Sequence, residues 1–338
     1  MQIHAYCDEE FLNQLSENST IDLVESEKFH EQLAKVKLFD LLRNGVKIYH
    51  CIKDTSELNP FIKSLIKKGS SSSLSEKEME CFQDNPAEFI STKGGNNSLF
   101  LVTEKQTNNL NQLEESFGYH CINFQNYSSI FKESIQLFQR NFKRTDWKIA
   151  TEYLKPHNSL LIVDPYIFTK NGFPAFLDFL RSILPEKLES TYHLSLIGNK
   201  KIPFSGLENI DEATEILLNL LSTIMKDFFL EIHLFDAVPK GENPNNYENP
   251  SPIDFHDRYL ISNNACIFSG RGLDYIKNNQ MNYEGTWLVF KPFSKITLEQ
   301  ESAFFTKVIE KKVKGFREWI HRSDYPNCQN PLITCYKD

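Results

Sequence analysis

The sequence predicts an α/β protein of two units: a small α/β domain over residues 1–126, and a larger mixed-sheet α/β domain over residues 127–338 with a helical lead-in. Three observations predict it. Strand-length apolar runs alternate with helix-length amphipathic stretches in both halves. At 338 residues the chain exceeds one typical domain and suits two. Ser159 to Phe168 is a nearly continuous apolar run, as in a strand covered on both faces. Hydrophobic residues are 40% of the chain, with 27 Phe, which supplies enough material for packed cores.

In the first unit, Ile3 to Cys7 has strand character. Phe29, Leu33, Val36, Leu38, Phe39, Leu41 and Leu42 give Ser26 to Asn44 a helical apolar stripe, which Gly45 closes. Val46 to Ile52 then alternates as a strand does. Gly69 to Ser75 is serine-rich, offers nothing to pack and is expected to be a mobile loop. Ser98 to Thr103, a helix over Asn109 to Phe117, Gly118, and Tyr119 to Phe124 form a β-α-β succession favouring an open, partly parallel sheet. Ile130 to Leu154 reads as a long, mostly helical connector, with Phe131, Ile135, Phe138, Phe142 and Trp147 at helical intervals. Lys143, Arg144 and Lys148 give it a basic face, either a solvated surface or a phosphate contact. Pro156 ends it.

The second unit opens with the Ser159 strand, which ends in Asp164-Pro165-Tyr166. An amphipathic helix over Phe173 to Leu184, a strand over Tyr192 to Ile197, a helix over Asp211 to Phe229 and a strand over Leu230 to Phe235 follow. Ile216, Leu217, Leu220, Leu221 and Ile224 mark the inward side of the second helix. A polar loop from Pro239 to Pro252 leads to a hairpin within Ile253 to Phe290, and Leu298 to Ile320 is expected to form a terminal helix.

Composition excludes several function classes. The net charge of -8 and pI near 5.7 argue against a general nucleic-acid coat protein, though not against a nuclease with a local basic cleft. The N-terminus carries no signal-peptide pattern, and no stretch approaches the roughly 20 apolar residues of a membrane span. The seven cysteines, Cys7, Cys51, Cys81, Cys121, Cys266, Cys328 and Cys335, are odd in number and form no C-x-x-C pair. They read as reduced structural thiols, so a soluble cytoplasmic protein is expected. Asp8 and Glu9 after the first strand, and Glu104 after a later one, stand where acids either hold a divalent metal or cap helices.

Chemistry concentrates in the hairpin, which reads Asp254-Phe-His256-Asp-Arg258, then Ser269-Gly270-Arg271-Gly272-Leu273-Asp274, then Asn282-Tyr-Glu284. These residues resemble the phospholipase D-like superfamily, whose signature is His-x-Lys, an Asp further along, a Gly-Ser-x-Asn turn and often Asn-x-Glu. Asn263 falls where the signature Asp stands, Gly270 on the glycine, and Asn282 and Glu284 on the Asn-x-Glu. The Asp164-Pro-Tyr strand end is similar to that superfamily's first strand. The resemblance covers about residues 150–320.

It implies a phospholipase D-like mixed-sheet domain and a metal-independent phosphodiesterase with no cofactor. His256 would be the nucleophile, Glu284 its orienting carboxylate, and Arg258 the cation gripping phosphate oxygens. Asn263, Ser269, Gly270, Arg271 and Asn282 would support the phosphate. The sequence departs at three places: Arg258 replaces the Lys, Asn263 the Asp, and Gly-Arg-Gly-Leu the Gly-Ser-x-Asn turn. Only one His-x-Arg is present, whereas such a site needs a second histidine to protonate the leaving group. The resemblance therefore implies a homodimer that pairs two His256 side chains across its axis.

Two functional expectations result. One is a regulated nuclease, a defence or toxin-like effector held in check by its N-terminal domain. The other is a catalytically silent module binding anionic phospholipid headgroups or a protein partner. The second is suggested by the similarity of the Gly-Arg-Gly-Leu-Asp-Tyr run to the C-terminal domain of MIT-domain cytokinesis proteins.

Overall fold

The protein is mixed α/β, and its described residues form a five-stranded sheet, an eight-stranded sheet and a two-stranded hairpin. The structure, a computed structural model, describes residues 3–17, 29–44, 46–54, 56, 58–68, 71–93, 98–102, 110–130, 135–138, 154–169, 172–199, 210–235, 258–263, 265–269, 276–277, 280–281, 287–292 and 317–322.

The first unit alternates β1 (Ile3–Cys7), α1 (Glu9–Glu17), α2 (Phe29–Asn44), β2 (Val46–His50), α3 (Pro60–Lys68), β3 (Ser71–Ser73), α4 (Glu76–Asp84), α5 (Pro86–Lys93), β4 (Ser98–Leu101), α6 (Leu110–Phe117) and β5 (Cys121–Ile122). The sheet order is β3-β2-β1-β4-β5 with every pairing parallel. Period-2 alternation splits its two faces. Ile3, Ala5, Cys7, Leu99 and Leu101 pack with α1, α2 and α3, whereas Tyr6, Phe100 and Val102 pack with Met79, Phe82, Phe89 and Ile90 of α4 and α5. Both faces are thereby covered, as an all-parallel sheet requires.

The serine run is not the loop that composition predicts. Ser71, Ser72 and Ser73 pair with Ile48, Tyr49 and His50 as the edge strand β3. Leu74 beside them is buried, and Ser75 caps α4. Its Oγ accepts from Glu78 N at 3.4 Å while the Glu78 carboxylate accepts from Ser75 N at 3.0 Å, a reciprocal capping box. Serines carry no hydrophobic period, so this strand is held by its neighbour's backbone and leaves no mark in the sequence.

The second sheet runs β15-β9-β8-β7-β10-β11-β14-β6. Its centre, β7 (Ser159–Val163), β8 (Tyr192–Asn199) and β9 (Phe228–Phe235), is parallel, with crossover helices α8 (Gly172–Ile183) and α9 (Ile210–Ile224). Leu160, Ile162, Leu194, Leu196, Leu230 and Ile232 meet Phe176, Phe179, Leu180, Leu217 and Leu221 of those helices in one apolar layer. The opposite face supplies Leu161, Val163, Ile197 and Ile261, which join the apolar cluster built on the first unit's α1 to α3. The short helix α7 (Tyr127–Ile130) packs on that cluster too, through Tyr127 and Ile130.

β10 (Arg258–Ser262) lies antiparallel to β7 and forms a hairpin with β11 (Ala265–Ser269). β12 (Ile276–Lys277) and β13 (Gln280–Met281) form a small hairpin of their own. β14 (Trp287–Pro292) then pairs with β11. Two expected helices are overturned in part. Ile135–Phe138 is a strand, β6, against β14, and Arg317–Arg322 is a strand, β15, against β9. Each completes one edge of the sheet, where unpaired N–H and C=O groups override local helical spacing. Residues 131–134, 139–153 and 298–316, which belong to those two segments, lie outside the described residues, as does the loop from 239 to 252. Among the described residues, no helix is long and apolar enough to cross a membrane.

The units are joined at the C-terminus of α6. Its last carbonyls, which lack partners within the helix, are met from the second unit. Glu189 N donates to Ser116 O at 2.7 Å, and Asn158 Nδ2 and Ser190 Oγ both donate to Phe117 O at 2.8 Å. Gly118 follows in the left-handed region at φ 75°; a Cβ there would stand 2.5 Å from the carbonyl carbon of His157. Only glycine serves both demands.

Candidate functional site

Arg258 is the first residue of β10, and the register Tyr259↔Val163 sets it beside the carboxyl end of β7. There the chain turns through Asp164, Pro165 and Tyr166. Asp164 is buried, and its N–H donates to Ile197 O at 3.0 Å. Its Oδ1 accepts from Tyr166 N at 2.8 Å and lies 3.8 Å from Arg258 Nε. The Arg258 guanidinium also sits 5.0 Å from the centre of the Tyr166 ring. Asp164 therefore fixes both the turn and the cation, and Tyr166 supports the guanidinium from its face. The turn is tied again beyond Tyr166: Thr169 N and Oγ1 both donate to Tyr166 O, at 3.1 and 2.9 Å, and Gly172 N donates to Thr169 Oγ1 at 3.0 Å. A planar cation, charge-balanced and oriented at a sheet edge, is suited to binding an oxyanion.

The other motif residues divide in two. Asn263 is described, at the far end of β10 from Arg258. It is buried; its Nδ2 donates to Gly118 O at 2.9 Å and its Oδ1 accepts from Asn158 N at 3.2 Å. Both ends of the amide are thus engaged with backbone at the junction between units. Ser269 ends β11, opposite Arg258 on one side and Leu288 of β14 on the other. His256, Gly270, Arg271, Asn282 and Glu284 lie outside the described residues. The start of β10, the end of β11 and the start of β14 are side by side at one sheet edge.

Asp164 and Tyr166 were visible in the sequence only as the end of a strand. Nothing local to them signals the contact with Arg258, which depends on the β7–β10 pairing.

In the first unit, Asp8 follows β1 and caps α1, its Oδ1 accepting from Glu10 N at 2.7 Å and Phe11 N at 3.3 Å. Burial raises its carboxyl above the usual range, with the two backbone N–H groups opposing that shift. Doubly wound sheets bind ligands where the strand order reverses, here at the carboxyl ends of β1 and β4. Asp8 holds the helix N-terminus at that point. Glu104 lies outside the described residues, as do Lys143, Arg144 and Lys148. Among the described residues, no group of His, Cys, Asp and Glu is placed to hold a metal ion. Cys7, Cys51, Cys81, Cys121 and Cys266 are free, and burial pushes the thiols of Cys7, Cys51 and Cys121 up, away from the reactive thiolate.

A second polar group lies inside the sheet, which sequence spacing did not single out. Ser195 Oγ on β8 donates to Glu231 Oε2 on β9 at 2.8 Å, with His233 Nε2 3.7 Å from the same oxygen. Burial alone would raise the Glu231 carboxyl, but His233, Ser195 and His193 together hold it below its usual value. Burial lowers His193 to about 4. All four side chains are buried, which suits a structural knot.

Among known proteins, no family model matches the chain, and a search of the curated proteins finds no match.

Proposed function

We propose that the chain is a metal-independent phosphodiesterase, a nuclease whose site lies at the carboxyl edge of β7 and is completed by a second copy of the chain. The observation that carries this reading is Arg258, set at that edge between Asp164 and Tyr166. The strand ends leading to the rest of the motif open beside it. A phosphodiester resists attack because of its own charge, so a fixed guanidinium lowers the barrier most where charge builds up on phosphorus.

In the proposed reaction a His256 ring nitrogen attacks phosphorus, forming a P–N bond as the P–O bond to the leaving group breaks. The His256 of the second copy protonates the departing oxygen. Water then attacks the phosphohistidine, giving up a proton to that second histidine and releasing phosphomonoester and free imidazole. Glu284 would hold the nucleophile's tautomer.

The test is cleavage of labelled DNA and RNA in excess EDTA. Cleavage that survives chelation, is lost in His256→Ala, and comes from a dimer in sedimentation supports the proposal; a strictly monomeric active protein refutes the shared site. A wild type that cleaves nothing, yet binds anionic vesicles through Arg258, would instead be the silent binding module.

A further inference from the structure

Tyr166 stands apart from the other described tyrosines of the two cores. Tyr6, Tyr119, Tyr127 and Tyr192 are buried, whereas Tyr166 is 47% exposed. Its backbone is nevertheless among the most firmly tied in the second unit, through Asp164 Oδ1 on one side and Thr169 N and Oγ1 on the other. Gly172 approaches so closely that a Cβ there would stand 1.9 Å from Tyr166 O, so the turn has no room to relax. A turn tied this way fixes the backbone from which the ring projects, which lowers the ordering cost of stacking on it. Among the described residues, Tyr166 belongs to none of the apolar core clusters.

We infer that Tyr166 is a stacking platform for a nucleobase, and that the ligand of this edge is a single-stranded polynucleotide. The inference rests on the phosphodiesterase reading and specifies its substrate. A nucleotide carries a flat base and an anionic phosphate on one sugar. The Arg258 guanidinium lies over one face of the half-exposed Tyr166 ring, 5.0 Å from its centre, so a base stacked on the rest of the ring would bring its own phosphate near that cation. A glycerophospholipid headgroup or a phosphopeptide offers the anion without the flat ring. A duplex hides its base faces in the stack, so an unpaired strand is favoured over a double helix. The chain's net charge of -8 points the same way. Long-range attraction of a polyanion is weak here, so local stacking has to supply recognition and salt dependence should be shallow.

The experiment measures binding of the full-length protein, in a His256→Ala background that blocks turnover, to a fluorescent single-stranded 12-mer by anisotropy. The comparison strands are the same backbone with abasic steps, the duplex, and vesicles containing phosphatidylserine. The expected result is tighter binding to the strand that bears bases, weakened about tenfold by Tyr166→Leu and retained by Tyr166→Phe. Tyr166→Leu should weaken the abasic strand far less than the base-bearing one, because there only the ring's support of the Arg258 guanidinium is lost, and that difference separates stacking from a structural role. Equal losses on both strands, no preference for bases, or Tyr166-dependent binding to vesicles but not to the 12-mer would overturn the inference. Cleavage by the wild type without base-dependent binding would sink the platform and spare the phosphodiesterase; base-dependent binding without any cleavage would do the reverse.

Discussion

Asn263 allows the motif to be tested against the fold. Replacing it with the acid that the phospholipase D-like signature carries, Asn263→Asp, changes almost no volume. The amide now donates to Gly118 O at 2.9 Å and accepts from Asn158 N at 3.2 Å, with the residue 3% exposed. A carboxylate keeps the second bond and turns the first into two acceptors facing each other. The loss is one net hydrogen bond, about 0.5–1.5 kcal/mol, plus a buried carbonyl left facing a charge, about 1–3 kcal/mol. Together these predict a destabilisation of about 1.5–4.5 kcal/mol at pH 7. The neutral acid can donate to Gly118 O as the amide does, so the folded state favours the protonated form and raises that carboxyl's pKa. The penalty is therefore fully present at neutral pH and shrinks as the pH falls towards the unfolded carboxyl's value near 4. Urea unfolding of wild type and variant at pH 7 and pH 4.5, followed by circular dichroism, reads the difference. A variant as stable as the wild type at pH 7, or a gap that widens in acid, refutes the assignment of Asn263 to the junction.

Two further outcomes follow from the fold. Ser75→Ala removes one half of the capping box at α4 and should lower stability by about 1 kcal/mol, seen as a drop of a few degrees in thermal midpoint; an unchanged midpoint would return Ser71 to Ser75 to loop status. His157 and His193 are both held neutral, each lowered by burial to about 4 from an ordinary 6.5. His157 donates through Nε2 to Ile183 O and its Nδ1 lies 3.2 Å from the Tyr192 hydroxyl, so the ring is partnered while neutral and burial disfavours its charged form. The unfolded chain binds those protons first, so stability is intact above about pH 6.5 and falls through the window down to about 4, by up to about 3 kcal/mol per histidine. His157→Gln should flatten that part of the profile, and an unchanged acid slope would show that the histidine is not its source.

The elements read correctly from sequence are those whose own side chains carry the period. β7 is a continuous apolar run, β8 and β9 alternate Leu, Ile and Phe with Ser, His and Glu, and α8 keeps its apolar stripe over Phe173, Phe176, Leu177 and Leu180. The misread segments Ser71–Ser73, Ile135–Phe138 and Arg317–Arg322 are edge strands, and the helix expected to run to Phe229 stops at Ile224, with Phe228 and Phe229 opening β9. The conformation of those edge strands is decided by a partner far away in sequence, and Ile135 and Phe138 fit a helix as well as a strand until β14 pairs with them. At the site, spacing alone brought attention to Arg258. It could not show that Asp164 and Tyr166 hold the guanidinium, or that Asn263 reaches Gly118, because both facts depend on strand pairings formed across the chain.

These placements constrain how the first unit can act on the second. Leu161, Val163, Ile197 and Ile261 belong to the same apolar cluster as the helices of the first unit. Exposing four such side chains costs roughly 6–12 kcal/mol, at about 1.5–3 kcal/mol each, comparable to the whole stability of a typical domain. A first unit that swings away as a free lid is thus energetically out of reach. β10 is moreover laddered on both sides, to β7 and β11, with Arg258 at one end and Asn263 at the junction with α6. A rigid strand between two fixed ends transmits small tilts and no large local rearrangement. Control of the Arg258 edge by the first unit, in the phosphodiesterase reading, must then work through sub-ångström alignment or through pairing of copies, and a proteolytic cut between the units should leave them associated.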